Sequence, residues 1–359
     1  MKRYMLWLVL LFLLIVRFVY FYETRSTYIN GTKIRITDRV SSEPIRYSNS
    51  QYLRLSGFKV YLPLYPEITY GDVIVVEGVV EEDKLKQTKL VELKESRGIL
   101  YGLRKNLIDI YQKSLPQPHS ALIAGVTIGS KQNLGEDLWE ILKKSGTAHV
   151  VVASGMNISL ISSFLVGFLA MYLPRRKAIP LAIIGTWVYA LIAGFDAPII
   201  RAAIMGTIAF SAQELGKLNT ALRALIITAL IMLFIRPDWL VDLGFLLSFF
   251  ATASLLLFEK KVYKLLRFIP DGLGIVKKDF STSIAAQIGV APILFISFGQ
   301  FNLLSPLINA LVLWTIVPMT SLGIIGGIIG LVFEPVGTAI LWLTFPLTLW
   351  FVKVVEVFG

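Results

Sequence analysis

Four clusters of polar side chains interrupt stretches that are otherwise apolar enough to lie in a membrane. The first, SGTAHVVVASGMNISLI, carries His149, Ser154, Asn157 and Ser159. The second is GFDAPIIRAAIMG, with Asp196 and Arg201. The third, PDWLVDLGFLLSFFATAS, holds Asp238, Asp242 and Ser248. The fourth, AAQIGVAPILFISFGQFNLLSPLINALV, holds Gln287, Gln300, Asn302 and Asn309. Polar groups inside a bilayer cost free energy unless they face protein, water or a substrate path. A chain that accepts this cost at four places is expected to line something.

Arg201 is the sharpest of these residues. An arginine within a span costs roughly 2.5–3.5 kcal/mol on insertion scales, so it needs a partner or a wet cavity. Two readings stay open: an ion pair to Asp196 or Asp242 (or a reach to the outer surface), and a phosphate contact within a passage. Asp242 fits a partner for Arg201 better than a proton carrier. His149 and Ser154 are five residues apart, which does not put them on one helix face. The local sequence VVASGM is not a GxSxG elbow. Acyl-transfer chemistry is therefore disfavoured, and Ser154–Gly155 reads as a close-packing or helix-opening point.

Composition narrows the field. Of 359 residues, 55% are hydrophobic and 16% charged, against about 25% charged in a soluble domain. Mean hydropathy is +0.69. There is no cysteine and there are two histidines, His119 and His149. No HxH or HExxH occurs, so neither a metal site nor a bound cofactor is expected. The net charge of +11 fits basic cytoplasmic loops and also attraction to a polyanion such as nucleic acid.

The elements that must position the polar clusters follow from the pattern. Residues 1–22 read as an uncleaved membrane anchor, with Arg17 reaching to an interface beside Tyr20 and Tyr22. Residues 23–96 alternate in short strands at 32–38, 51–55, 59–62, 72–81 and 88–93, with Gly31, Gly57, Gly71, Pro63 and Pro66 as turns. Five short strands suggest a small OB-like barrel. Residues 97–118 form a helical connector. Residues 119–359 form the transmembrane domain, beginning with re-entrant and surface helices at 119–145. Ser120–Gly129 is too short to span. Asn133 is expected to cap a surface helix to Lys144, with Leu134, Leu138, Ile141 and Leu142 as its apolar stripe. Spans follow near 147–173, 178–195, 198–214, 220–235, 239–258, 281–298, 303–332 and 336–357. With Pro306, Pro318 and IIGGIIG, the 303–332 stretch is expected to break into two half-helices. With the anchor, the total is about nine spans.

Three basic loops, at 175–177, 217–223 and 259–279, fall on one side when the spans alternate, and the positive-inside rule makes that side cytoplasmic. The N-terminus is then cytoplasmic and residues 23–118 extracytoplasmic. In that insert Tyr47, Tyr52, Phe58 and Tyr61 interleave with Arg46, Arg54 and Lys59. The pattern suits stacking on single-stranded nucleic acid, but on this feature alone an ordinary strand face is the favoured reading.

At these clusters the chain resembles the competence domain of the ComEC family of DNA-uptake proteins. The segment LIAGVTIGSKQNLGEDLWEILKKSGTAHVVVASGMNISLI carries the family's LxxGxxxG, Ala-His and Ser-Gly pattern. PIIRAAIMG, PDWLVDLGFLLSFFAT and QIGVAPILFISFGQFNLLSPLINALV match its other three blocks, from about residue 120 to the end. Asn157 stands where many members have His, and Leu246 where Gln is common. The resemblance implies a plasma-membrane channel that passes single-stranded DNA into the cytoplasm during natural transformation. His149, Ser154, Asn157, Arg201, Asp242, Gln287 and Asn309 would line its passage, and the 259–279 loop would meet the emerging strand. It implies an OB-like domain ahead of the spans and no chemistry in this chain. No Walker A motif is present, so a cytoplasmic DNA-translocating ATPase is expected to drive transport. No HxHxDH run occurs before Gly359, so any nuclease is expected on a separate chain or to be absent, and assembly as a homo-oligomer stays open. The rivals are a small-molecule or lipid-linked substrate transporter with a midplane pocket, a hydrolase using His149 and Ser154, and a homologue without transport activity.

Overall fold

The structure, a computed structural model, describes residues 2–24, 28–47, 49–96, 98–132, 134–151, 154–215, 220–267, 274–298, 302 and 304–358. They divide into two units: residues 28–160, 187–196 and 302–359 form one, and residues 1–27, 161–186 and 197–301 the other.

The alternation in the insert becomes six strands: β1 (Lys33–Arg39), β2 (Ile45–Arg46), β3 (Ser50–Leu55), β4 (Phe58–Pro63), β5 (Val73–Glu81) and β6 (Lys84–Lys94). The sheet order is β1-β5-β6-β4-β3-β2. All neighbours are antiparallel except β4 and β6, which touch in parallel at Lys59–Lys84 and Val60–Leu85. Period-2 alternation puts Leu53, Leu55, Val60, Leu62, Ile74, Val76 and Val80 in one core. The chain returns on itself where Asp38 of β1 accepts hydrogen bonds from the Ser56 N–H and hydroxyl, each at 2.8 Å.

In the same unit, α2 (Ile99–Ser114) is amphipathic and lays Arg104, Leu107, Ile108 and Tyr111 inward. Then come α3 (His119–Ile128), α4 (Glu136–Lys144) and α5 (Ala148–Val151). The stripe expected on α4 is inside: Leu134, Leu138 and Leu142 are buried, and Ile141 packs beside them. Its N-cap is Gly135, with no side-chain cap. Asn133, the expected cap, lies outside the described residues. The C-terminal helices α12 (Ser305–Val332), α13 (Glu334–Trp342) and α14 (Phe345–Phe358) complete the unit's core with Ile308, Val312, Ile316, Met319, Phe351 and Val352.

The expected break within 303–332 does not occur: α12 is one continuous helix of 28 residues. Pro306 sits in the first turn, where its missing N–H costs nothing. The glycines of IIGGIIG are packing points instead. A Cβ on Gly327 would lie 2.6 Å from Tyr111 Oη, and one on Gly323 2.5 Å from Thr127 Cγ2. The bend falls later, between α13 and α14, at 43°.

The second unit holds α1 (Lys2–Thr24), parts of α6 (Gly155–Tyr172) and α7 (Arg175–Ile192), α8 (Ala197–Glu214), α9 (Ala221–Ile235), a 3-10 turn at Pro237–Val241, α10 (Leu243–Leu265) and α11 (Gly274–Phe298). Arg17 donates to the Phe234 carbonyl at 3.1 Å, so it caps the end of α9 rather than only reaching an interface. Among the described residues, four helices are long and apolar enough to cross a membrane, or five if α13 and α14 count as one.

Candidate functional site

Helix α3 rises about 15 Å over its ten residues, half of a bilayer's ~30 Å hydrocarbon core. All ten are buried. A helix that ends in the protein interior must have its final carbonyls satisfied by protein, since buried unpaired backbone groups cost free energy. Gly129, at φ 70°, turns the chain so that its N–H reaches the Gly125 carbonyl and that of Ser130 reaches Ala124. Each of the next three carbonyls takes a side chain from a different helix. Asn157 Nδ2 of α6 donates to Val126 at 2.5 Å. Tyr189 Oη of α7 donates to Thr127 at 2.6 Å. Arg104 Nη1 of α2 donates to Ile128.

Arg104 is also the hub of a wider contact. It donates to the Ile192 carbonyl and, through Nη2, to Glu43 Oε2 at 2.5 Å. Glu43, between β1 and β2, accepts from Ser130 Oγ at 3.2 Å through its other oxygen. The ion pair is 4% and 3% exposed. Desolvating two charges is offset only when hydrogen bonds support each group; here the guanidinium donates three and each Glu43 oxygen accepts one. The guanidinium lies 5.4 Å from the Tyr70 ring centroid. Burial pushes the Tyr70 phenol up to about 12; neighbouring Tyr101 acts in the same direction and Arg104 opposes both.

A second polar cluster gathers where α4 ends and α12 begins. Asn302 Nδ2 donates to the Lys144 carbonyl at 2.7 Å while its Oδ1 accepts from Leu304 N–H at 2.8 Å. Gly146 has φ +73°, and a Cβ there would lie 2.6 Å from Ser305 Oγ. Asn309, 4% exposed, donates to Ser305 Oγ at 3.4 Å, and its Oδ1 has no hydrogen-bond partner among the described residues.

In the other unit Arg201 is half-buried. Its Nε donates to Ser248 Oγ of α10 at 2.5 Å, and Nη1 lies 3.6 Å from Met205 Sδ. The ion pairs left open from sequence do not form: Asp196 pairs with Lys131 at 3.6 Å. Asp242 caps α10, accepting from Phe245 N–H at 2.9 Å. No carboxylate among the described residues forms an ion pair with Arg201.

A family model described as "Competence protein" matches residues 126–359, well over half of the chain. The chain belongs to the competence protein family. Among its relatives, ComE operon protein 3 of Bacillus subtilis (strain 168) is 25% identical over 211 residues, covering 58% of this chain and 26% of that protein. Competence protein ComA of Neisseria gonorrhoeae is 27% identical over 222 residues, 56% of this chain and 30% of that one. An uncharacterised protein of Aquifex aeolicus (strain VF5) is 29% identical over 209 residues, 57% and 46% respectively. The chain thus spans between about a quarter and a half of the curated relatives it matches. No solved structure matches it significantly. With its apolar helices, the family makes this a membrane protein.

Against that match, the seven residues picked from sequence divide. Asn157, buried at 1% exposure, is used by the Val126 carbonyl of α3. Asn309 is buried beside Ser305. His149 is exposed at the start of α5, and Ser154 and Gln287 are half-buried. No hydrogen bond joins His149 to Ser154 among the described residues. Gln300 lies outside them. Arg104 and Glu43, missed from sequence as site residues, precede the matched segment. Arg104 did carry a signal: it shares a helix face with Leu107, Ile108 and Tyr111, at spacings of three, four and seven.

The basic and aromatic residues of the insert also gain a geometry. Tyr52 and Tyr61 face each other across β3 and β4, with ring centroids 5.2 Å apart. Arg54 and Lys59 face each other in the next pair on that side. All four point away from the core. Lys59 is joined to Asp83 at 2.6 Å, and Arg46 to Glu67.

Proposed function

We propose that this competence-family chain forms a membrane passage for single-stranded DNA during natural transformation and does no chemistry on it. The carrying observation is Arg201: a cation on an apolar helix, bonded to a hydroxyl and a thioether rather than a carboxylate. A guanidinium keeps its charge and binds phosphate through paired N–H groups. Arg201 is therefore the phosphate contact, with Gln287 of the same unit as further polar lining. Asn157 and Asp242 serve the fold instead, Asn157 by holding the end of α3 and Asp242 by starting α10.

On this reading the chain makes about nine passes and the insert is an OB-like barrel outside the cell. Its Tyr52–Tyr61 pair, flanked by Arg54 and Lys59, offers stacking and charge to an incoming strand. The orientation is supported by Arg17. Its bond to Phe234 sets the C-terminal half of α1 beside the C-terminal end of α9; if both helices cross the whole bilayer, this favours their running the same way. The basic 217–223 loop makes the start of α9 cytoplasmic, and α1 then starts there too. Work comes from a cytoplasmic DNA-translocating ATPase and strand degradation from a separate nuclease.

The test is uptake of labelled DNA by cells carrying Arg201→Ala or Arg201→Lys at equal protein level. One charged hydrogen bond contributes about 1.5–3 kcal/mol. Uptake with Arg201→Ala should therefore fall about ten-fold or more, and Arg201→Lys should recover part of it. Unchanged uptake in Arg201→Ala cells ends the phosphate-contact reading.

A further inference from the structure

At the C-terminal end of α10, Lys260 and Lys264 are one turn apart, and Arg267 follows just past the helix. All three are exposed. On a 3.6-residue period they lie on the face that carries Phe250, Leu256 and Leu257, which are 51%, 42% and 52% exposed. This is therefore one continuous outward face of a 23-residue apolar helix, apolar for its middle turns and cationic at its end. The opposite side is packed. Ala285 of α11 is fully buried against Val262 and Leu266. A Cβ on Gly289 would lie 2.5 Å from the Phe250 carbonyl oxygen.

Two neighbouring charges are already engaged. Glu259 accepts from Thr282 Oγ1 at 2.9 Å. Lys277, 5% exposed, sits under the Tyr263 ring at 4.9 Å from its centroid. No ion pair among the described residues involves Lys260, Lys264 or Arg267.

We propose that the Lys260–Lys264–Arg267 face is a binding site for the phosphate headgroups of anionic phospholipids. The apolar side chains above it contact acyl chains, so a ligand meeting these cations from the same side is at headgroup level. An anionic diacyl lipid satisfies both halves of the face at once, with its phosphate on the cations and its chains along Leu256, Leu257 and Phe250. A nucleic acid strand would match only the cationic end. Clusters of cations at the end of a span attract acidic lipids, each contributing about a five-fold factor in binding. Such a contact would also fix the depth of the α10–α11 pair in the membrane.

The experiment uses the full chain, purified in detergent and titrated with phosphatidylglycerol or phosphatidylcholine. Bound lipid is counted by native mass spectrometry. The wild type should hold phosphatidylglycerol in preference to phosphatidylcholine. K260Q/K264Q/R267Q should weaken phosphatidylglycerol binding by about a hundred-fold, three five-fold factors combined, and leave phosphatidylcholine binding unchanged. The charge-preserving K260R/K264R/R267K should behave as wild type. If the triple neutral variant does not fold, K264Q alone carries the test, with a loss of about five-fold. Wild-type lipid retention in the neutral variant overturns the proposal. So does a variant that keeps its lipid but loses single-stranded oligonucleotide binding, which would assign the face to nucleic acid. A loss of stability that is equal in both lipids also overturns it, leaving these cations only the role of balancing the helix dipole.

Discussion

Arg104 and Arg201 both leave apolar helix faces, and their surroundings differ in one respect. Arg104 meets a carboxylate, two backbone carbonyls and an aromatic ring, so its donors and its charge are matched by the protein. Arg201 meets one hydroxyl and one thioether. Its geometry is held, but its charge is not matched. An arginine of the first kind joins elements; one of the second kind can still bind an anion. On the proposed reading, the carboxylate beside Arg104, and the lack of one paired with Arg201 among the described residues, separate a structural role from a binding one.

The contrast breaks first at Arg104. Arg104→Ala strands Glu43 as a buried unpaired charge and should cost about 3–5 kcal/mol, read as thermal unfolding of the detergent-solubilised chain. Arg104→Lys should recover little, because a single ammonium cannot reach the same set of acceptors. Stability close to wild type would place Arg104 with Arg201. Next is Asn157→Ala, which leaves the Val126 carbonyl buried and unpaired. A loss of about 1–3 kcal/mol is expected, with no change in the pH dependence of unfolding. Arg201→Leu should shift stability by less than about 1 kcal/mol, since the lost charged hydrogen bond and the relieved desolvation offset each other. A large destabilisation would show that its charge is matched after all.

The smallest effect concerns Tyr70. Its phenol holds its proton to about 12 when folded, against an ordinary value of 10.0. The unfolded chain therefore loses that proton first, and stability falls as pH rises from about 10 towards 12. Tyr70→Phe should flatten part of that alkaline decline in unfolding midpoints. An unchanged slope would show that burial does not hold the Tyr70 phenol neutral.

What could be read in advance depended on whether a signal was local. The five main strands, the half-length α3 and the stripe of α4 all repeat within a few residues, so period and turn residues revealed them. The continuity of α12 was hidden because proline and glycine carry two meanings. Pro306 starts a helix as readily as it breaks one, and Gly323 and Gly327 make room for Thr127 and Tyr111, which are far away in sequence. Asn157 was found but its use was not. A side chain that caps a carbonyl 31 positions earlier leaves no local pattern. Arg104 was passed over for a similar reason: it lies among the charges of a connector, and only its helical phase marked it as inward.

The three caps on α3 also set an order of events during synthesis. Arg104 leaves the ribosome before α3, Asn157 after it, and Tyr189 later still, 62 positions beyond Thr127. At about 5–20 residues per second, the Thr127 carbonyl waits roughly 3–12 s for its phenol. Throughout that interval the nascent segment needs a wet or chaperoned shelter at the insertion machinery. Its native depth can be fixed only after α7 has arrived.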